Sequence, residues 1–472
     1  MAEQLVVESP QWWLERLEGM LTARRRAQAV YREYHAGQFP LAHATDPYRE
    51  AFALMLKGVA DNWLELVVDA VAERLAIEGF RIGDEPPNGD AWAIWQRNGL
   101  DTDSDLAHHE ALVSSAAYVL VWGDGSSGKD RAEITVESSA QVVVDYYPGS
   151  RRKRAAALKL WRDDWTGDDR ATIYLPSALF RYKRRENAGA AGWEQLAGAE
   201  GEIANPFKSV PMIELTNRPK LLPDAIGYGR SELLGLLSTQ DQINKLLADM
   251  MVAAEFAAFR QRWASGVEIP IDPETGQPVE AFQAGIKRLW NAPDKDARFG
   301  SFEAVDLTNY VKAIENRVQS LASRSRTPPH YLLGQSGSFP SGESLKATET
   351  GLVAKARGRA RRFGEGWEEV MRYAGEVENV PALKNADGAE TVWADPESRT
   401  EGEHVDALLK LRTLEVPLEA LWERAGFTPA QIAGFRAMLM REATLKLLAG
   451  VDPLTVQEPT PAPSPEPVPA AA

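Results

Sequence analysis

Cysteine is absent from the 472 residues of the chain. Disulfides, thiolate metal sites and a cysteine nucleophile are therefore excluded, and synthesis in the reducing cytoplasm is expected. The first residues, MAEQLVVESPQWW, lack a basic segment followed by an apolar one, so no signal peptide is expected. No stretch approaches the ~20 apolar residues that a membrane span needs. These absences predict a protein with no membrane partner.

Histidine is scarce, and the six histidines match no metal-binding spacing. His108, His109 and Glu110 are adjacent, so on a helix they would point in different directions and could not converge on one ion. No GxSxG elbow, zincin motif or EF-hand loop occurs. The sequence therefore indicates no catalytic residue, no metal ligands and no cofactor, and we expect a protein that is not an enzyme.

A glycine-rich segment at 123–130, GDGSSGKD, has the glycine and lysine spacing of a phosphate-binding P-loop. Asp130 stands where a P-loop needs a serine or threonine for Mg²⁺, and the next segment, RAEITVES, is typical of a strand. A P-loop requires a helix N-terminus at that point to receive the phosphate. The segment is better interpreted as the turn of a glycine-rich hairpin.

The charge balance is acidic, with a formal net charge of −15. A protein that coats nucleic acid over its whole surface is excluded by this charge, but local basic patches are not. One basic run does occur, at Lys355, Arg357, Arg359, Arg361 and Arg362. A charge run alone most often indicates a solvated helix face, and a functional role beside the neighbouring loop is the alternative.

The hydrophobic pattern predicts an α+β chain that is mostly helical and large enough for two to four structural units. Helices are predicted at 10–36, within 47–79 with Gly79 as a helix end, at 91–98 and at 103–116. Short strands are predicted at 118–121, 133–137, 142–145, 157–162, 171–175 and 210–215. Two turns, at 123–130 and 272–276, and a loop at 186–205 separate these elements.

The second half of the chain predicts a helix, an insert, a second helix, a loop and then a long helix. The first helix runs from about Ser231 to Arg262, and the second from Asp306 to Arg326, where Pro328 and Pro329 stop it. The loop is rich in Pro, Gly and Ser, and Ser341 is the expected N-cap of the long helix. A possible strand at 392–394 and helices at 404–411, 418–424 and 429–448 follow. The Pro-rich end from Val451 cannot bury a core and is expected to be disordered.

The order of these elements, together with six stretches, resembles the portal proteins of tailed bacteriophages, of the siphophage type common in actinophages. Each stretch is degenerate alone, whereas their order and spacing are fairly specific. The stretches are NWLELVVDAVAERLAIEGFR (62–81), HHEALVSSAAYVLVW (108–122), GYGRSELLGLLSTQDQINKLLADMMVAAEFAAFRQRWASG (227–266), SRTPPHYLLG (325–334), SGESLKATETGLVAKARGRARRFGEGWEEVM (341–371) and HVDALLKLRTLEVP (404–417).

The resemblance implies a portal fold with a wing, a stem, a clip and a crown. The wing would be 1–230, with helices and an α/β layer, and the stem would comprise 231–264 and 305–326. The other parts would be the clip at 265–304, the tunnel loop at 327–342, the long helix and return to the wing at 343–395, the crown at 396–450 and the tail at 451–472.

The resemblance also implies a function and partners. The protein would form a ring, usually of twelve subunits, at one capsid vertex of the virion, through which double-stranded DNA is packaged and ejected. Its partners would be the terminase large subunit, the head-tail connector or adaptor, the scaffold and the major capsid protein. The DNA-facing loop residues would be His330, Gln335, Ser336, Ser338 and Ser341, and stem packing would use Leu246, Met250, Val311, Ile314 and Val318.

Two alternatives remain open at this point. The chain could be another head-assembly or minor capsid protein that has no channel, although such a protein does not need the helix, insert, helix and loop order of 231–342. A nucleotide-dependent enzyme is suggested only by 123–130.

Overall fold

The structure is a computed structural model. It describes residues 6–39, 46, 50, 60–83, 88–123, 131–185, 192–258, 262–265, 298–301, 306–333, 342–397, 401–427 and 429–448. Most of the insert at 265–304, the turn at 124–130 and the tail at 451–472 lie outside these ranges, so the predictions made for them stay predictions.

The described residues form helices and strands in the mixture expected of an α+β protein. The helices are α1 Pro10–His35, α2 Trp63–Ala72, α3 Gly89–Arg97, α4 Leu100–Ser114, α5 Leu237–Ala258, α6 Thr308–Ser325, α7 Pro329–Leu332, α8 Gly342–Val377, α9 Pro381–Lys384, α10 Glu401–Thr413, α11 Leu418–Arg424 and α12 Pro429–Leu448. The strands are β1 Ile77–Ile82, β2 Ala116–Gly123, β3 Ala132–Ser138, β4 Val142–Tyr146, β5 Arg154–Arg162, β6 Asp169–Tyr174, β7 Ala178–Arg184, β8 Glu194–Gln195, β9 Glu202–Ala204, β10 Met212–Thr216, β11 Arg262–Ser265, β12 Arg298–Ser301 and β13 Ala389–Trp393.

The largest sheet is antiparallel and has the order β4-β5-β6-β7-β8, with β9 also paired to β7. A three-stranded sheet has the order β10-β2-β3, and β11 and β12 form a two-stranded antiparallel ribbon. The chain divides into two compact units. The first comprises Met1–Arg74, Asp105–Val119 and Val136–Phe363, and the second comprises Leu75–Ser104, Leu120–Thr135 and Gly364–Ala472.

The core of the first unit forms where α1 packs on the largest sheet. Ser9 caps α1 by accepting a hydrogen bond from the Trp12 amide, and Pro10 occupies the first turn as predicted. The apolar face of α1, spaced at three and four residues, buries Leu14, Leu17 and Leu21 against inward side chains of the sheet. The predicted helix at 10–36 is thus confirmed.

The second unit is built around Trp95, which is fully buried. Its ring packs against Phe80 and Trp367, with centroids 5.4 and 5.0 Å away. The indole nitrogen donates a hydrogen bond of 2.8 Å to Asp101, so this buried polar atom is satisfied.

The predicted helix around 62–79 is partly wrong. Helix α2 ends at Ala72, and Ile77–Ile82 is instead a strand that pairs antiparallel with Ala389–Trp393. Gly79 lies within this strand, beside an irregularity in the pairing between Ile77 and Gly79, where glycine is common. The prediction failed because a glycine that follows an apolar run is also typical of a helix end. The strand expected at 392–394 is confirmed as the end of β13.

The predicted helix from Ser231 to Arg262 is shorter at both ends. Gly235 adopts a left-handed backbone with φ of 84°, which interrupts a right-handed helix, so α5 begins at Leu237. At the other end α5 stops at Ala258, and Arg262–Ser265 forms β11. The other helices and strands predicted within the described residues are present, with small shifts at their ends.

Candidate functional site

Helices α5 and α6 pack against each other as an antiparallel pair. Arg324 donates to Thr239 over 3.1 Å, while Arg317, two turns earlier on α6, reaches Gln242, further along α5. In the sequence, β11 follows α5 and β12 precedes α6. The two strands form a ribbon in which Trp263 pairs with Gly300. The helix pair and the ribbon together are called the arm, which belongs to the first unit.

The five residues predicted to pack the stem occupy different environments on this arm. Val318 is buried, whereas Leu246, Met250 and Ile314 are half-buried. Val311 is 44% exposed, so within one chain it does not contribute to a buried core. Met251, next to Met250, is also exposed. The arm therefore keeps apolar side chains uncovered in the single chain.

Helix α6 ends in a tight turn rather than in an open loop. Arg326 adopts a left-handed conformation with φ of 59°, and the Thr327 amide reaches back 3.0 Å to the Ala322 carbonyl, which closes α6. The Thr327 hydroxyl is buried and accepts a hydrogen bond from Ser325 at 2.9 Å. The sequence prediction that the helix stops before Pro328 is confirmed.

The first part of the predicted loop at 327–342 is packed against the body of the first unit. Pro329–Leu332 forms the short helix α7, and Leu332 is buried. His330 is half-buried, and its Nε2 lies 3.9 Å from a carboxylate oxygen of Glu349. The other four predicted loop residues, Gln335, Ser336, Ser338 and Ser341, lie outside the described residues.

Tyr331 links this short helix to two other elements. Its hydroxyl accepts a hydrogen bond of 2.7 Å from Arg74 and donates one of 3.0 Å to Glu349 on α8. The Arg74 guanidinium also lies over the Tyr331 ring, 5.7 Å from the centroid. The residues that flank the segment 334–341, Tyr331 before it and Glu349 after it, are therefore held by side-chain contacts.

A buried carboxylate, Glu232, organises the base of this region. It is 4% exposed and lies in the turn that precedes α5. Lys355 and Arg359, one turn apart on α8, both reach it, at 3.0 and 2.6 Å. Lys355 also donates to the Ser325 carbonyl over 3.1 Å, at the end of α6. These contacts join the start of α5, the end of α6 and the first half of α8.

Further hydrogen bonds complete the surroundings of Glu232. Its amide donates to the Leu112 carbonyl at 2.9 Å, and Asn217 donates to its carboxylate at 3.1 Å. Burial alone would raise the pKa of Glu232, but Lys355 and Arg359 outweigh that effect and hold its pKa below the ordinary value. Glu232 is therefore ionised at neutral pH, with two cations sharing one carboxylate.

The basic run on α8 thus has two kinds of member. Lys355 and Arg359 belong to the buried cluster, which corrects the interpretation of the whole run as a solvated face. Arg357, Arg361 and Arg362 are exposed, as that interpretation expected. One weak signal for the cluster is visible in the sequence, namely an acidic residue inside the apolar stretch SELLGLL.

The adjacent polar residues His108, His109 and Glu110 diverge as the sequence predicted. The buried His108 ring stacks on Phe363, with centroids 5.2 Å apart. Glu110 instead pairs with Arg32 at 2.6 Å. The strand expected after the glycine-rich turn is also confirmed as β3, so no helix N-terminus follows 124–130 and the nucleotide-site hypothesis loses its main requirement.

Comparisons with known proteins bear on the family of the chain. A family model described as phage portal protein, SPP1 Gp6-like, matches residues 18–431. The portal protein of Mycobacterium phage D29 is 30% identical over 435 residues, which cover 86% of this chain and 85% of the relative. The portal protein of Mycobacterium phage L5 is 30% identical over 368 residues, covering 73% and 71%. Among the described residues, no helix is long and apolar enough to cross a bilayer.

Proposed function

Since the chain belongs to the SPP1 Gp6-like family of phage portal proteins, we propose that copies of it close into a ring at one capsid vertex. The ring, with twelve subunits, surrounds a channel through which double-stranded DNA enters the capsid and later leaves it. The protein acts as a structural component of the virion and not as an enzyme.

The observation that carries this proposal is the arm formed by α5 and α6. A subunit in a closed ring presents two different faces to its neighbours, and each face needs apolar surface for the contact. Met251 and Val311 are 40% and 44% exposed in the single chain. Their burial between neighbouring arms would remove this apolar surface from water. The arm is therefore assigned as the stem, within 231–264 and 305–326.

The ribbon at the end of the arm suits a docking role. Trp263 and Phe299 are exposed on β11 and β12, and large exposed aromatic side chains are common at protein interfaces. We assign the ribbon and the segment 265–304 to the clip, which would meet the terminase large subunit during packaging and the head-tail connector or adaptor afterwards.

The loop beyond α7 is assigned to the DNA channel. Residues 335–341, QSGSFPS, carry no charge. Each lysine or arginine near phosphate adds salt-dependent affinity, so an uncharged loop contacts a moving duplex with little retention. His330 would add little net charge even when protonated, because Glu349 lies 3.9 Å away. Gln335, Ser336, Ser338 and Ser341 are the proposed contacts.

The remaining assignments follow the order of the chain. Residues 1–230 would form the wing, 343–395 the long helix and return to the wing, and 396–450 the crown, with 451–472 as a tail. Scaffold and major capsid proteins would contact the wing and crown as the capsid assembles.

Purified full-length protein tests the proposal directly. Light scattering after size-exclusion chromatography should give a mass near twelve chains, and negative-stain images should show rings with a central hole. A species that remains monomeric at high concentration would reject the ring and favour a head-assembly protein without a channel.

A further inference from the structure

Three side chains that commonly bind metals meet in the first unit. They are His35 at the end of α1, Asp69 on α2 and His109 on α4, and their ligand atoms all lie within 4.8 Å of one another. The Nε2 atom of His109 is 3.5 Å from Asp69 Oδ1, and the two imidazole rings meet edge to face with centroids 4.8 Å apart. Within the described ranges, no second group of this kind occurs.

One ligand atom in this group has no partner among the described residues. The Nε2 atom of His35 is buried and makes no hydrogen bond to them. An unsatisfied buried polar atom destabilises the folded chain, so its presence calls for an explanation.

The surroundings of the group favour a cation. His35 is the last residue of α1, where the helix dipole is negative. Glu65 lies one turn before Asp69 on α2 and adds a second carboxylate nearby. Arg32, one turn before His35, is paired with Glu110. Asn62 donates to the His35 carbonyl at 2.8 Å and so fixes the end of α1 beside the start of α2.

We propose that His35, Asp69 and His109 bind one divalent transition-metal ion of the Zn²⁺ class, with water as a further ligand. Two imidazoles and a carboxylate form a donor set that suits Zn²⁺, whereas Mg²⁺ and Ca²⁺ prefer oxygen ligands alone. The ion ties α1, α2 and α4 together and is structural.

The geometry requires only a small adjustment. Zinc bonds of about 2.0–2.2 Å place ligand atoms roughly 3.3 Å apart in a tetrahedron. The pair between His109 and Asp69, at 3.5 Å, already has nearly this spacing. The widest separation among the three ligand atoms, up to 4.8 Å, must shrink by about 1.5 Å.

The test uses untagged full-length protein from which metals have been removed with a chelator. We expect the wild type to bind about one Co²⁺ per chain with visible absorption bands of a four-coordinate site. Added Zn²⁺ should displace the Co²⁺. It should also raise Tm by a few degrees above that of the metal-free protein, because the ion binds the folded state. Mg²⁺ should produce neither effect.

Asp69→Asn and His109→Gln should each weaken Co²⁺ binding by at least about tenfold. Their side chains are 42% and 38% exposed, so both variants should fold, which circular dichroism will check. His330→Gln is the matched control, since it removes a histidine elsewhere and should bind as the wild type does. Absence of one-to-one binding, or equal binding by the wild type and both variants, would overturn the proposal.

Discussion

The guanidinium of Arg359 lies 2.6 Å from the carboxylate of Glu232, which is 127 residues earlier in the chain. This ion pair, with Lys355 on the same carboxylate, holds α8 against the turn before α5 and against the end of α6. The proposed channel loop lies between α6 and α8 in the sequence. The contacts around the buried carboxylate of Glu232 therefore join the elements on its two sides.

Replacing Glu232 with glutamine should destabilise the first unit strongly. The change keeps the side-chain shape but leaves Lys355 and Arg359 buried without a counter-charge. Breaking a buried ion pair from one side typically costs about 3–5 kcal/mol. Urea unfolding at a fixed protein concentration measures the loss.

The matched control for that variant is Glu419→Gln. Glu419 pairs with Arg436 at 2.7 Å, but both side chains are largely exposed, and such pairs contribute roughly 0–1 kcal/mol. Equal effects of the two substitutions would show that the Glu232 pairs are no stronger than a surface contact.

Acid should remove the contribution of Glu232. Burial opposes its ionisation, yet Lys355 and Arg359 outweigh burial and depress its pKa in the folded state. The unfolded state, with a glutamate pKa of about 4.3, then binds more protons than the folded state as the pH falls, so stability is lost with falling pH. The difference in unfolding free energy between the wild type and Glu232→Gln should be constant near neutral pH. It should shrink as the pH falls through the ordinary glutamate value, and a constant difference down to about pH 3 would contradict the assignment.

The local spacing of apolar residues explains why much of the fold was predictable from the sequence. The spacing of Leu14, Leu17 and Leu21 predicts α1, and the short β-rich runs of β4 to β6 predict three strands of the sheet on which α1 packs. Local signals failed where the backbone changes direction inside an apolar run. Gly235 stops the helix expected from Ser231, and Gly79 lies in a strand whose partner is about 310 residues later in the chain, within Ala389–Trp393.

The candidate sites were harder to predict because their members are far apart in sequence. Glu232 meets Lys355 only after α8 has folded back, and His35 meets His109 only when α1 packs beside α4. No spacing rule connects such residues. The resemblance of most of the chain to portal proteins therefore predicted the family, while these contacts required the structure.

Adding a charge to the exposed face of the arm should weaken ring assembly without unfolding the chain. Val311→Glu introduces a carboxylate where neighbouring arms are proposed to meet, and burying it unpaired is costly. Because Val311 is exposed in the single chain, circular dichroism should change little. Light scattering should show a shift from rings to small species.

Two variants separate that effect from general damage. Lys312→Glu alters the adjacent exposed residue and should leave assembly largely intact. Val318→Ala removes buried methyl groups and should lower the unfolding free energy by about 2 kcal/mol instead. Normal rings formed by Val311→Glu would remove Val311 from the interface.

Shortening the proposed channel loop should impair DNA packaging or retention more than assembly. A deletion within 335–341 leaves Thr327, Leu332 and the Glu232 pairs in place, so the subunit should still fold and form rings. DNase-protected DNA per capsid is the measurement, with a truncation of 453–472 as the control that should retain ring formation. Loss of rings on deletion would reject the channel-loop assignment.

Charging the same loop tests the reason for its composition. Ser336→Lys combined with Ser338→Lys places two cations per subunit where the loop would face phosphate. Each neutralised phosphate contributes a slope of about −0.9 in log affinity against log salt for duplex DNA, and the ring multiplies the number of contacts. We therefore expect slower packaging that recovers partly as salt rises. Ser336→Glu with Ser338→Glu is the matched variant, and it should not retain DNA. Unchanged packaging with both pairs of substitutions would mean that these serines do not approach the duplex, and the uncharged loop would then need another explanation.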